Sequence, residues 1–159
     1  MRTMHEVPVR CVGVSVVLLK KIDHTYKVLL MKRNSSVLQD EWCYIGGGIE
    51  EGEKAWEAAL REVREETGIK LEALYTSNKF EQFYSYTEEY IYMAPVFVGY
   101  VSGDQEVTLN DEHKQYEWLD FNDAIERVTL PGNDDVLDFV EKHFVSKKPS
   151  DWLLVYKER

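Results

Sequence analysis

The chain has 159 residues, a formal charge of −10, 44% hydrophobic and 30% charged side chains, which is enough to enclose one ordinary core and excludes a largely disordered polypeptide; a single domain over residues 1–159 is expected. The acidic surplus excludes non-specific grip on nucleic acid or anionic lipid, which relies on Lys and Arg facing phosphates. No apolar run approaches the roughly 18 residues of a membrane-spanning helix, and Met1 to Arg10 lacks the apolar centre of a signal peptide, so no membrane partner and a cytoplasmic location are expected.

In chain order, the runs RCVGVSVVLLKK (10–21) and YKVLLMKR (26–33) are β-branched and apolar, and the polar IDHT between them reads as a turn joining two strands. WCYIGG (42–47) reads as a short extended segment that breaks at its glycines. From about Glu53 the period changes to 3.6. Trp56, Leu60, Val63 and Thr67 fall on one side of a helix that stops at Gly68, a residue suited to a left-handed cap. Residues 70–101 are rich in aromatic and β-branched side chains and read as two or three strands. A polar connection over 102–114 leads to a short strand in QYEWLDF (115–121), and FNDAIERV and NDDVLDFVEKHF read as one or two closing helices. This order predicts a mixed sheet with helices on both faces. The tail 147–159 begins with KKPS and turns apolar in WLLVY, which predicts either a late strand or a surface for self-association as a homodimer. Cys11 and Cys43 lack metal-ligand or close disulfide spacing and are expected as free, buried thiols, and the four histidines are scattered, giving zinc little support.

At about 100° per residue, Glu66 lies roughly 40° to one side of Glu62 and Glu65 roughly 60° to the other, so the three share a face, with Trp56, Leu60 and Val63 pointing away. Like charges at that spacing repel. Either the face is solvated and relieved by Arg61 and Arg64, or a divalent cation, which prefers carboxylate oxygens, sits among them. Gly46, Gly47 and Gly48 directly upstream, whose backbone N–H groups can approach phosphate or which can hold a sharp loop, are a weak signal alone and favour the second reading through their joint occurrence with the acids and Arg61.

Gly47, Glu53 and the run Arg61-Glu62-Val63-Arg64-Glu65-Glu66-Thr67-Gly68-Ile69 resemble the pattern Gx5Ex7REUxEExGU of the Nudix hydrolases, in which U is a bulky aliphatic residue. The resemblance implies an α/β (α+β) fold, an α/β/α sandwich with a mixed sheet between helices. It also implies an enzyme cleaving a diphosphate linkage with Mg2+ or Mn2+. Carried over by position, Glu62, Glu65 and Glu66 would be metal ligands, one of them taking a proton from the attacking water. Glu53 and Arg61 would be the supporting pair, Gly47 would permit the loop geometry and Gly68 would end the helix. Many members recruit a further acid from a loop, and Glu112 is the candidate here. The surrounding Glu112-His113 and Trp118-Leu119 resemble bacterial dihydroneopterin triphosphate pyrophosphatases and relatives acting on dATP. Arg33, at the end of the second strand, and Gly46 with Gly47 would meet substrate phosphates. Phe83, within the aromatic cluster Phe80 to Tyr92, would stack on a purine or pterin ring, and Glu81 would accept from its edge. Ile45 stands where many members have Pro. The expected partner is a nucleotide or pterin polyphosphate. The alternatives are hydrolysis of nucleotide sugars or dinucleoside polyphosphates and, in another class, a nucleotide-binding sensor without turnover.

Overall fold

The computed structural model describes residues 2–159, and Met1 lies outside them. The first apolar run divides into β1 (Val9–Arg10) and β2 (Gly13–Ile22), and the second forms β3 (Thr25–Arg33). Ile22 pairs with Thr25 across a two-residue turn in which Asp23 and His24 take φ of 52° and 71°. Positive φ at both central positions is what the strand twist demands of so tight a hairpin. The WCYIGG segment becomes β4 (Trp42–Cys43) and β5 (Ile45–Gly48), so the chain stays extended through its glycines instead of breaking there. Helix α1 spans Ala55–Thr67 and ends at Gly68, whose φ of 73° and N–H to the Arg64 carbonyl make the expected left-handed cap. The aromatic stretch forms two long strands, β6 (Ala73–Ser85) and β7 (Tyr90–Tyr100). They are followed by β8 (His113–Leu119), α2 (Phe121–Arg127), α3 (Asn133–Val140) with a π-type turn over Glu141–Val145, and β9 (Leu154–Lys157).

The described strands form one nine-stranded mixed sheet with the path β4-β3-β2-β7-β6-β9. Strand β2 is its centre. It runs parallel to β7 on one edge, while its other edge pairs antiparallel first with β5, Val14 opposite Gly47, and then with β3. β8 pairs with β3, and the tail takes the first of its two predicted courses, β9 adding antiparallel to β6.

Strand alternation sends Val14, Val16, Leu18, Leu29 and Met31 to one face, where they pack against Ala58, Ala59 and Val63 of α1. Val17, Leu19, Val28 and Leu30 go to the other face and meet Phe121, Ala124, Val136, Leu137 and Val140 of α2 and α3. The result is the expected α/β/α sandwich. The contact face of α1 differs from the periodicity reading. Its buried residues are Ala58, Ala59, Glu62, Val63, Glu66 and Thr67, whereas Trp56 and Leu60 pack at the margin of the core. The strand beneath accounts for the acid: three of the four residues of β5 are glycines, and the Glu62 carboxylate seats against Gly47, where a side chain would exclude it. Trp56 instead stacks on Tyr156 of β9 with ring centroids 5.7 Å apart, tying the tail to the helix.

Leu18 is 1% exposed in the helix-facing core, so Leu18→Ala should cost about 2–5 kcal/mol. Trp152→Ala, 82% exposed in the wild type, should stay within about 0.5 kcal/mol. Urea unfolding of both variants checks the contrast.

Candidate active site

Arg61 organises the entry to α1. The guanidinium has five N–H donors, and each finds an acceptor. Nε and one Nη2 hydrogen hold the two oxygens of Glu53 at 2.7 and 3.0 Å, and the other Nη2 hydrogen holds the Gly48 carbonyl at 2.7 Å. Nη1 donates to Glu62 Oε1 at 2.8 Å and Glu65 Oε2 at 3.2 Å. Glu53 Oε1 also accepts from the Glu50 N–H. The paired guanidinium, and then that N–H, pull the Glu53 carboxyl down to about 2, and the same pairing drives Arg61 upward. One side chain therefore locks the loop, strand β5 and two acids of the helix into one geometry. Gly47 is required for the same reason, because a Cβ there would overlap the Glu62 carboxylate.

Two of the three helix acids are turned into the protein. Glu62 is 8% and Glu66 1% exposed, while the Glu65 side chain is about half exposed and rests on Arg61. Across from Glu66 stand Glu112 and His113, at the end of the 102–112 connection. The Asn34 N–H donates to the Glu112 carbonyl and Asn110 Oδ1 accepts from the Glu112 N–H, which fixes that loop. Ligand atoms of Glu66, Glu112 and His113 lie within 4.8 Å of one another. Glu66 Oε2 and His113 Nδ1 are buried with no hydrogen-bond partner. Burial, followed by the neighbouring Glu62 and Glu112, pushes the Glu66 carboxyl well above the usual range. Burial, followed by Arg33, pulls the His113 imidazole down to about 4. The 3.5 Å approach of His113 Nδ1 to Glu66 Oε1 is therefore not an ion pair at neutral pH. A buried carboxyl with an orphaned oxygen, as at Glu66, is costly to ionise unless a cation joins it, and an oxygen-rich set of this kind suits a hard divalent ion.

This cluster lies in a cleft of about 1080 Å³. Of the residues singled out from sequence, Arg33, Gly46, Gly47, Glu66, Glu81, Phe83 and Glu112 all line it. Glu62 meets Gly47 of its wall, whereas Glu53, Arg61 and Glu65 are not among the lining residues. Arg33 Nε donates to the Val37 carbonyl at 3.2 Å, which holds its base. Glu81 is pinned from two sides, accepting from Ser15 Oγ and Tyr44 Oη at 2.9 Å each. Tyr44 Oη also lies 2.9 Å from Asn133 Oδ1 at the start of α3. Phe83 stacks on Tyr92 with centroids 4.9 Å apart and keeps about half its surface open. Sequence reasoning missed His113, Tyr44, Ser15 and Asn133. For His113 the signal was adjacency to Glu112, which a search for zinc-like histidine spacing passes over. A second concavity, of about 650 Å³, is lined by Lys21, Tyr26, Asp120 and neighbours and contains none of these residues. Cys11 and Cys43 are free thiols, as expected, but Cys11 is exposed and Cys43 only partly buried, where both were expected to be buried; no helix among the described residues is long and apolar enough to cross a membrane.

Residues 9–141 match the sequence profile of the NUDIX domain. A nucleoside triphosphatase, NudI of Escherichia fergusonii, is 31% identical over 104 residues, covering 61% of this chain and 74% of that protein. The dihydroneopterin triphosphate pyrophosphohydrolase of E. coli superposes with a TM-score of 0.69 at 26% identity, over 89% of this chain and 99% of that one. The C. elegans Ap4A hydrolase, in a binary complex, superposes with a TM-score of 0.70 at 21% identity, over 82% and 94% of the two chains, and so shares the fold.

The Glu53 carboxyl, at about 2 against an ordinary 4.5, makes a pH-dependent contribution. A depressed acid stabilises the folded state fully above its unfolded value and loses that effect as pH falls through its folded value. The stability gap between wild type and Glu53→Gln should thus be level above pH 4.5 and shrink toward pH 2, as read by urea unfolding across that range. A gap independent of pH would contradict the pairing.

Proposed function

The chain belongs to the Nudix family of hydrolases acting on phosphoanhydride bonds, and on that premise we propose that it converts a nucleoside triphosphate of the dATP kind, or a pterin triphosphate, to the monophosphate and pyrophosphate. The observation that carries this reading is the unpartnered, buried Glu66 carboxylate oxygen beside Glu112 and His113 in the same cleft as an open aromatic face and a fixed carboxylate acceptor. NudI is named a nucleoside triphosphatase and the E. coli structural relative a dihydroneopterin triphosphate pyrophosphohydrolase, which supports a triphosphate as the substrate. Cytoplasm is the compartment such a substrate implies.

Glu62, Glu65, Glu66 and Glu112 would hold Mg2+ or Mn2+, which supplies positive charge to the phosphate oxygens and acidifies a bound water. The chain's own groups do the rest. One of the helix carboxylates takes the proton as the water oxygen bonds to phosphorus and the bridging P–O bond breaks, the electron pair leaving with pyrophosphate. Arg61 and Glu53 hold those carboxylates in place and do not touch substrate. Gly46 and Gly47 present a wall without side chains along which phosphates pass, and Arg33 offers them a cation. This local positive charge is needed because the protein as a whole repels polyanions. The open face of Phe83 extends the Tyr92 stack to a flat ring, and Glu81 accepts from donors on that ring's edge.

Pyrophosphate release with Mg2+, measured over dATP, other nucleoside triphosphates, dihydroneopterin triphosphate, a nucleotide sugar and a dinucleoside polyphosphate, tests the assignment. The triphosphates should lead by kcat/KM, and inactivity on all of them would overturn it. Glu66→Gln should lower kcat by about 10²-fold or more. Phe83→Ala should raise KM roughly tenfold with little effect on kcat, as lost ring stacking would.

A further inference from the structure

His113 has two ring nitrogens in different company. Nε2 lies 3.8 Å from Cys43 Sγ. The Cys43 thiol is itself placed to donate to the Met31 carbonyl at 3.6 Å, and a thiol has one hydrogen. With that hydrogen on the Met31 carbonyl, the sulfur accepts from the imidazole and Nε2 carries the ring N–H. That leaves Nδ1 with a bare lone pair, and this is the atom with no partner. It faces Glu66 Oε1 at 3.5 Å, with both side chains 97% or more buried. Two lone pairs so placed repel unless something positive stands between them. At this separation Nδ1 makes no hydrogen bond with Glu66.

We propose that His113 Nδ1 is a metal ligand beside Glu66 and Glu112, so that this protein's cation site is a mixed nitrogen and oxygen site that favours Mn2+ and later first-row ions over Mg2+. The inference rests on reading the carboxylate cluster as a cation site and adds to it the identity of one ligand. Metal–nitrogen and metal–oxygen bonds of about 2.1 Å place two ligand atoms roughly 3.0 to 3.4 Å apart for angles between 90° and tetrahedral, close to the separation seen. Cys43 then acts as the outer partner that orients the ring, the role commonly taken by a hydrogen-bond acceptor on the far nitrogen of a ligating histidine. Magnesium holds oxygen ligands and parts reluctantly with water, whereas imidazole suits first-row transition ions. A nitrogen in the set therefore shifts the order of preference.

The test is electron spin-echo envelope modulation on the full chain loaded with MnCl2 alone, without nucleotide. The expected result is a 14N coupling of a directly bound imidazole, replaced by a 15N pattern when the protein is grown with 15N-histidine. The coupling should persist in the variant His5→Gln/His24→Gln/His143→Gln, which leaves the buried site intact, and disappear in His113→Gln. In the latter, Mn2+ affinity should fall about tenfold or more and Mg2+ affinity by much less. Bound Mn2+ with no nitrogen coupling, or a coupling lost with the other three histidines, would overturn the assignment of His113 while leaving a cation site in place. Failure of Mn2+ to bind at all would overturn both.

Discussion

Burying carboxylates on a helix is unfavourable, and the architecture around α1 follows from that constraint. Glu62 and Glu66 are held out of water, so something must fix them and something must neutralise them. Arg61 does the fixing, with all of its donors engaged on Glu53, Gly48, Glu62 and Glu65. Its charge is used on the acids nearest the loop and leaves Glu66 facing Glu112 and His113. The glycine strand is the other half of the arrangement. Only at a residue without a side chain does the Glu62 carboxylate fit against the strand backbone, and only against such a strand can the acidic stripe be the contact face of the helix.

The sheet converts that local device into a cleft. β2 pairs with the glycine strand on one edge and with β7 on the other, so the helix acids and the aromatic hairpin of β6 and β7 are placed about one central strand. The second helical layer contributes from the opposite face: Asn133, at the start of α3, meets Tyr44 Oη, which donates toward the same Glu81 that Ser15 holds. A carboxylate fixed by two hydroxyls keeps its orientation when a substrate edge arrives, an instance of a site built on rigid elements and supported from behind.

How much of this was legible in the sequence depended on the range of the interactions. The β2–β3 hairpin, the limits of α1 and its Gly68 cap are set by residues within a few positions of one another, and the regularity of the Gly47 to Ile69 pattern pointed to the family. The buried face of α1 was misjudged because hydrophobic periodicity ranks Trp56 and Leu60 above Ala58 and Ala59, whereas the glycine strand selects small residues. The extended course of Gly46 to Gly48 was hidden for the same reason, since glycine signals a break unless the strand has a helix to accommodate. The Tyr44–Asn133 contact joins residues 89 positions apart, and the His113–Glu66 approach depends on how the connection before β8 folds back. Neither has a local signature. The tail was open between two courses until its pairing with β6 and the stacking of Tyr156 on Trp56 decided it.

The central claim is that the acids of α1 and Glu112 exist to hold a divalent cation, and uptake of the ion tests it most directly. Isothermal titration calorimetry with Mg2+ and with Mn2+, in the presence and absence of a non-hydrolysable triphosphate analogue, should show saturable binding that is lost when Glu62 and Glu66 are both changed to Gln. Absence of binding under every one of these conditions, or binding unaltered by the double substitution, would contradict it.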